Sequence, residues 1–175
     1  QPNYADAYYN RGNVLFAKGR IDEAIADWEK TLQIQPNDAD AHTGLGNALL
    51  GKGSLQEAIA HYEKALALAP EDPHSRNNVA WVLATASDAS IRDGARAVGF
   101  AQAAVQLTGG REPRFLRTLA AAYAESGRFS EALAVAQQAA IIATMQGKSD
   151  VANRLEKDLV LYRGRLPLRE NPPGN

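Results

Sequence analysis

Residues 2–36 read PNYADAYYNRGNVLFAKGRIDEAIADWEKTLQIQP, and residues 36–70 read PNDADAHTGLGNALLGKGSLQEAIAHYEKALALAP. Laid over each other at a shift of 34, the two stretches are identical at 18 of 35 positions. The matched pairs include Asn3/Asn37, Gly12/Gly46, Asn13/Asn47, Gly19/Gly53 and Ala24/Ala58, and Trp28 falls on Tyr62. Self-similarity at this period marks a repeat architecture, in which each unit buries its apolar face only against its neighbours.

Each unit predicts two amphipathic helices. In the first unit Tyr8, Gly12 and Leu15 share one face at helical spacing, and Gly19 ends the segment as a C-cap glycine does. Asp22 and Glu23 open a second helix carrying Ile21, Ala24, Ile25, Trp28, Leu32 and Ile34, and Pro36 closes the unit. Gly12 and Ala24 let the helices approach while Tyr8 and Trp28 fill the space beside them, so this glycine is expected to serve packing.

These units resemble tetratricopeptide repeats. The first supplies Tyr8, Arg11-Gly12, Leu15, Ala24, Trp28 and Pro36, and the second His42, Leu45-Gly46, Leu49, Ala58, Tyr62 and Pro70. A third unit keeps Arg76, Val79, Ala80 and Leu83 in register, but Ala97, Ala101 and Ala104 fall five residues late, so a long loop is expected over 86–94, with Ser90 and Asp93 as a capping box. A fourth unit carries Leu116, Leu119-Ala120, Tyr123, Gly127, Ala132 and Ala136, and its second helix is expected to run on to about Met145.

After Gly147, Ser149 is read as the cap of a last helix, apolar along Val151, Leu155, Leu159 and Tyr162, with Asn153, Arg154, Lys157 and Asp158 on its solvated side. The resemblance implies an all-α protein, a right-handed α-solenoid of antiparallel helix pairs. The expected units are 5–38, 39–72, 73–112 and 113–147, followed by a capping helix over 148–165 and a flexible tail over 166–175. Gln1-Pro2-Asn3 repeats the junction Gln35-Pro36-Asn37, which suggests the C-terminal fragment of a longer, bacterial array.

Composition agrees. Alanine fills 33 of 175 positions, as close helix packing requires, whereas the hydrophobic share of 45% and charged share of 22% are ordinary for a soluble chain. With no cysteine, thiol catalysis and thiolate metal sites are excluded, and no apolar run is long enough to span a bilayer. The net charge of −1 speaks against a general nucleic-acid binder. It divides into −4 over residues 1–110 and +3 over residues 111–175. The compartment, cytoplasmic or periplasmic, stays open.

No catalytic constellation emerges, and no cofactor or metal is expected. His42 takes a core position, His61 falls among exposed ones, and no histidine pair has helical metal-site spacing. Gly51-Lys52-Gly53-Ser54 lacks a preceding strand and coincides with the interhelix turn Ala17-Lys18-Gly19-Arg20 one unit earlier.

Carried over from the family, the ligand face of each first helix gives Tyr9, Asn10, Asn13 and Phe16, then Thr43 and Asn47, then Asn77, Asn78 and Trp81, then Arg114 and Arg117. The asparagines resemble the ladders of O-linked N-acetylglucosamine transferases, where carboxamides pair with an extended backbone. Asn47, Asn78 and Arg114 also match part of the clamp of chaperone-tail-binding repeats, although Thr43 and Thr118 stand where that clamp has cations. The resemblance implies a non-catalytic scaffold binding a peptide or partner segment, with an acidic end, in a concave groove. The alternative is a structural spacer or self-association element of a larger protein, for example a membrane-bound glycosyltransferase or secretion component.

Overall fold

A computed structural model describes residues 2–169, with side chains from Tyr4 onward. The Gln1–Asn3 junction motif and the Asn171–Asn175 stretch of the tail therefore lie outside the described side chains. Among the described residues the chain is all-α, with nine helices: α1 (Pro2–Ala17), α2 (Ile21–Ile34), α3 (Ala39–Gly51), α4 (Leu55–Leu68), α5 (Pro73–Thr85), α6 (Gly94–Leu107), α7 (Pro113–Glu125), α8 (Phe129–Met145) and α9 (Ser149–Arg163). They fall into two compact units, one holding α1–α4 and the other α5–α9.

The helix boundaries follow two local rules. The first helix of a pair starts on a carboxylate whose oxygens accept from the exposed amides of the first turn: Asp38 from Ala41, Asp72 from His74 and Ser75, Glu112 from Arg114. Proline follows at the first helical position of α5 and α7, where its missing N–H is harmless. Three of the second helices, α2, α4 and α8, instead follow a glycine in the left-handed region, Gly19, Gly53 and Gly127, with φ of 74°, 81° and 74°.

Two expected caps differ. Asp93, not Ser90, caps α6 by accepting from Arg96, while Ser90 bonds Asp88 inside the loop. At α9 the cap position is Lys148, whose side chain makes no capping bond, because Ser149 is already helical.

In the first unit the hydrophobic cluster is built on Leu15, Ala24, Trp28, Ala41, Leu45 and Ala48. A Cβ added at Gly12 would stand 2.8 Å from the Trp28 indole nitrogen, and one at Gly44 would stand 2.7 Å from another indole atom. At Gly46 it would stand 2.5 Å from Tyr62. The glycines are therefore the space in which the aromatic rings sit. Asn13 and Asn47 complete the contact, for Trp28 Nε1 donates to Asn13 Oδ1 at 3.2 Å and Tyr62 Oη donates to Asn47 Oδ1 at 2.8 Å.

The second unit packs on alanine. Ala80, Ala97, Ala101, Ala104, Ala120, Ala132, Ala136, Ala139 and Ala143 are all fully buried. α8, which lacks the closing proline, runs to 17 residues against 14 for α2, α4 and α6. Leu168 and Arg169, within the stretch expected as a flexible tail, contact this unit: Leu168 is buried, and Arg169 reaches Glu125 Oε2 at 2.6 Å, while Leu166 is exposed.

Gly46→Ala is expected to destabilise the protein by about 1–3 kcal/mol, because the ring of Tyr62 cannot yield without displacing α4. Urea unfolding followed by circular dichroism measures it, and Gly51→Ala, whose added Cβ meets nothing, is the control.

Candidate functional site

The first-helix positions divide between packing and open surface. In the first unit Tyr9 and Phe16 are half-buried against the hydrophobic cluster, and the Phe16 and Trp28 ring centres lie 5.6 Å apart. They are part of the core, where groove anchors were expected. Asn10 is exposed, Asn13 and Asn47 hold the second-helix aromatics, and the Thr43 hydroxyl donates to the Ala39 carbonyl of its own helix at 3.0 Å.

In the second unit the predicted residues converge. Asn77 and Trp81 of α5, Arg114, Arg117 and Thr118 of α7, and Asp150, Val151 and Arg154 of α9 line one pocket of about 270 Å³. Asn78 belongs to a neighbouring hollow shared with Asn77, Arg114 and Phe115. Two features set the chemistry of this pocket. Asn77 Oδ1 is buried with no hydrogen-bond partner, a cost that a ligand donor would remove. The Arg114 and Arg154 side chains are exposed on the rim, and among the described residues neither guanidinium has a carboxylate partner.

Arg117 plays a different part from the one its position suggested. It is buried, and its Nε and Nη2 donate to Asp158 of α9 at 2.6 and 3.3 Å. Side-chain exposures of 9% and 3% place this pair inside the protein. Its guanidinium also lies over the Trp81 ring, 4.7 Å from the ring centre. Arg117 is therefore the floor of the pocket and holds the indole in place. Asp158, read as part of the solvated side of α9, is buried because it falls on the same stripe as Val151, Leu155 and Tyr162. That spacing was the available signal for it. Asp27, buried and gripped by Arg11 at 2.6 and 2.5 Å, is the corresponding surprise in the first unit.

His42 and His61 also meet, across the α3–α4 pair. Their Nδ1 atoms are 3.0 Å apart, so one ring donates to the other, and His61 is half-buried where an exposed position was expected. Burial pushes both imidazoles below the usual 6.5; for His61 the positive form of His42 adds to this, and for both Lys64 does. The Pro36 backbone and Asp38 partly oppose the shift at His42, and Glu57 does so at His61. No group of three or more potential metal-binding side chains occurs among the described residues.

A family model described as tetratricopeptide repeat matches residues 1–39 and 9–73. Among solved structures, PilF of Pseudomonas aeruginosa superposes with a TM-score of 0.67 at 19% identity, covering 91% of this chain and 77% of that one. MamA of Desulfovibrio magneticus RS-1 gives 0.69 at 18% identity, covering 93% and 94%. TTC0263, a thermophilic TPR protein of Thermus thermophilus, gives 0.63 at 20% identity, covering 92% and 98%. At these identities the likeness is one of fold. No curated protein matches the sequence. No described helix is long and apolar enough to cross a membrane.

Two outcomes follow from the buried polar pairs. Asp158→Asn leaves Arg117 buried without its counter-charge and is expected to cost about 3–5 kcal/mol, read as a lowered urea midpoint. The histidine pair takes up protons less readily when folded than when unfolded. Stability is therefore expected to fall as pH drops from about 7 to 5.5, because the unfolded chain protonates first. His61→Gln should flatten that part of the stability profile.

Proposed function

From the tetratricopeptide-repeat match over residues 1–73 and the all-α fold shared with solved TPR structures, we propose that the chain is a non-catalytic protein-interaction module. In this reading the α5–α7–α9 pocket receives an extended segment of a partner protein that bears an acidic side chain or carboxyl terminus. The observation that carries this is the pairing of two unpartnered guanidiniums, Arg114 and Arg154, with the buried unsatisfied oxygen of Asn77. A carboxylate accepts from the arginines through charge-assisted bonds, and a peptide N–H supplies the donor that Asn77 lacks.

The pocket's remaining charges support the sign. Arg117 and Asp158 balance each other, and Asp150 offsets one arginine, so one net positive charge faces the ligand. Trp81 gives an adjacent peptide side chain an aromatic surface already held in one orientation by Arg117, so little ordering remains to be done on binding. Asn13 and Asn47 have a packing role in this reading, holding together the helix pairs of the first unit.

Peptides with an acidic carboxyl terminus are expected to quench or shift the Trp81 fluorescence, since Trp28 is buried in the other unit. Arg114→Ala and Arg154→Ala should each weaken binding about tenfold, roughly the loss of one charge-assisted contact of about 1.4 kcal/mol. Raising the salt concentration should weaken it further. Affinity indifferent to both substitutions overturns the assignment.

A further inference from the structure

The α8–α9 pair presents a surface that nothing in the described chain covers. Ile141 and Met145 stand one turn apart on α8 and are 62% and 82% exposed, and Val160 on α9 is 65% exposed. Between the helices runs an open groove of about 520 Å³, lined by the apolar Ala140, Ile141, Met145 and Leu159, by Gln137 and Thr144, and by the charged Glu156 and Arg163. Large exposed apolar side chains grouped beside a groove that carries one acidic and one basic residue mark an interaction surface.

The charges indicate what covers it. Glu156 and Arg163 are two helical turns apart on one face of α9, roughly 10 Å along its axis, too far to pair with each other. Neither has an ion-pair partner among the described residues. The midpoint between them falls at Leu159 and Val160, so the face reads acidic, apolar, basic. Turned by a half rotation about that midpoint it reads basic, apolar, acidic, which is its own complement. A two-fold axis there sets Glu156 of each copy against Arg163 of the other and closes the apolar side chains between them. A ligand of single charge would satisfy one end of the face and be repelled at the other.

We propose that this face pairs with the same face of a second copy of the chain, forming an isologous dimer through antiparallel α9 helices, with Ile141 and Met145 covering the partner's groove. The dimer is independent of the ligand pocket, which uses Asp150, Val151 and Arg154 on a different face of α9.

Sedimentation velocity over a concentration series to about 100 μM tests it, in the range where modest interfaces associate. The wild-type chain should pass from one chain's mass to two. Glu156→Arg and Arg163→Glu each replace two attractive contacts by two repulsive ones and should each weaken dimerisation at least tenfold. Mixing these two variants should restore a heterodimer, and combining both changes in one chain should restore the homodimer. Met145→Asp should give a monomer with unchanged helical content, since the side chain is exposed. A wild-type chain monomeric throughout, a dimer indifferent to these substitutions, or single variants that fail to rescue each other overturns the proposal. All of these variants should keep their affinity for acidic peptides, which separates this outcome from that of the pocket.

Discussion

The distance between the two helices of a pair is set by what stands where a ring meets a helix backbone. Gly12 and Gly44 both lie against Trp28, and Gly46 lies against Tyr62, so closely that a single methyl group would overlap the rings. Removing the Cβ lets the aromatic side chain fill the gap from the second helix. The ring then needs a polar partner for its N–H or O–H, and Asn13 or Asn47, one residue beyond the glycine, provides it. Glycine, asparagine and aromatic form one interlocked set, and the helix spacing of the first unit depends on it.

The same set explains why the later repeats look different. At the positions of Gly12 and Gly46 the third and fourth repeats have Ala80 and Ala120, and at those of Trp28 and Tyr62 they have Ala101 and Ala136, all four buried. Volume removed from the second helix returns on both sides as methyl groups, a trade that close packing accepts. Once the ring is gone, its asparagine partner has no donor to receive. That position becomes Trp81 in the third repeat and Ala121 in the fourth. The departure from the family pattern is thus one correlated change in three places, and it turns a packing position into one that carries a partly exposed aromatic edge.

The fold was legible because its determinants are local and periodic. Glycine turns at Gly19 and Gly53, the closing prolines Pro36 and Pro70, and the late alanines of the third repeat all act within a few residues of where they stand. The pocket was legible in part, since Asn77, Trp81 and Arg114 occupy first-helix positions that the repeat pattern assigns to a ligand. Pairings between distant residues were not. Arg117 and Asp158 are 41 residues apart, and His42 and His61 are 19 apart, and nothing in either helix alone says which residue faces which. Only the placement of Asp158 on the apolar stripe of α9 hinted that its charge was to be met inside.

That buried pair links the architecture to the pocket. The indole at position 81 stands where the earlier repeats have the asparagine that receives a second-helix ring, and with Ala101 opposite it has no such ring to meet. Arg117 fixes it from α7, and a cation buried there is tolerable only because α9 brings Asp158 to it. α9 therefore supplies the counter-charge under the pocket and Arg154 at its rim. A ligand face made from α5 and α7 alone would carry an unbalanced buried charge and a mobile aromatic. With α9 in place the Arg117 charge is met internally, and in the proposed reading Arg114 and Arg154 are left for the partner's carboxylate.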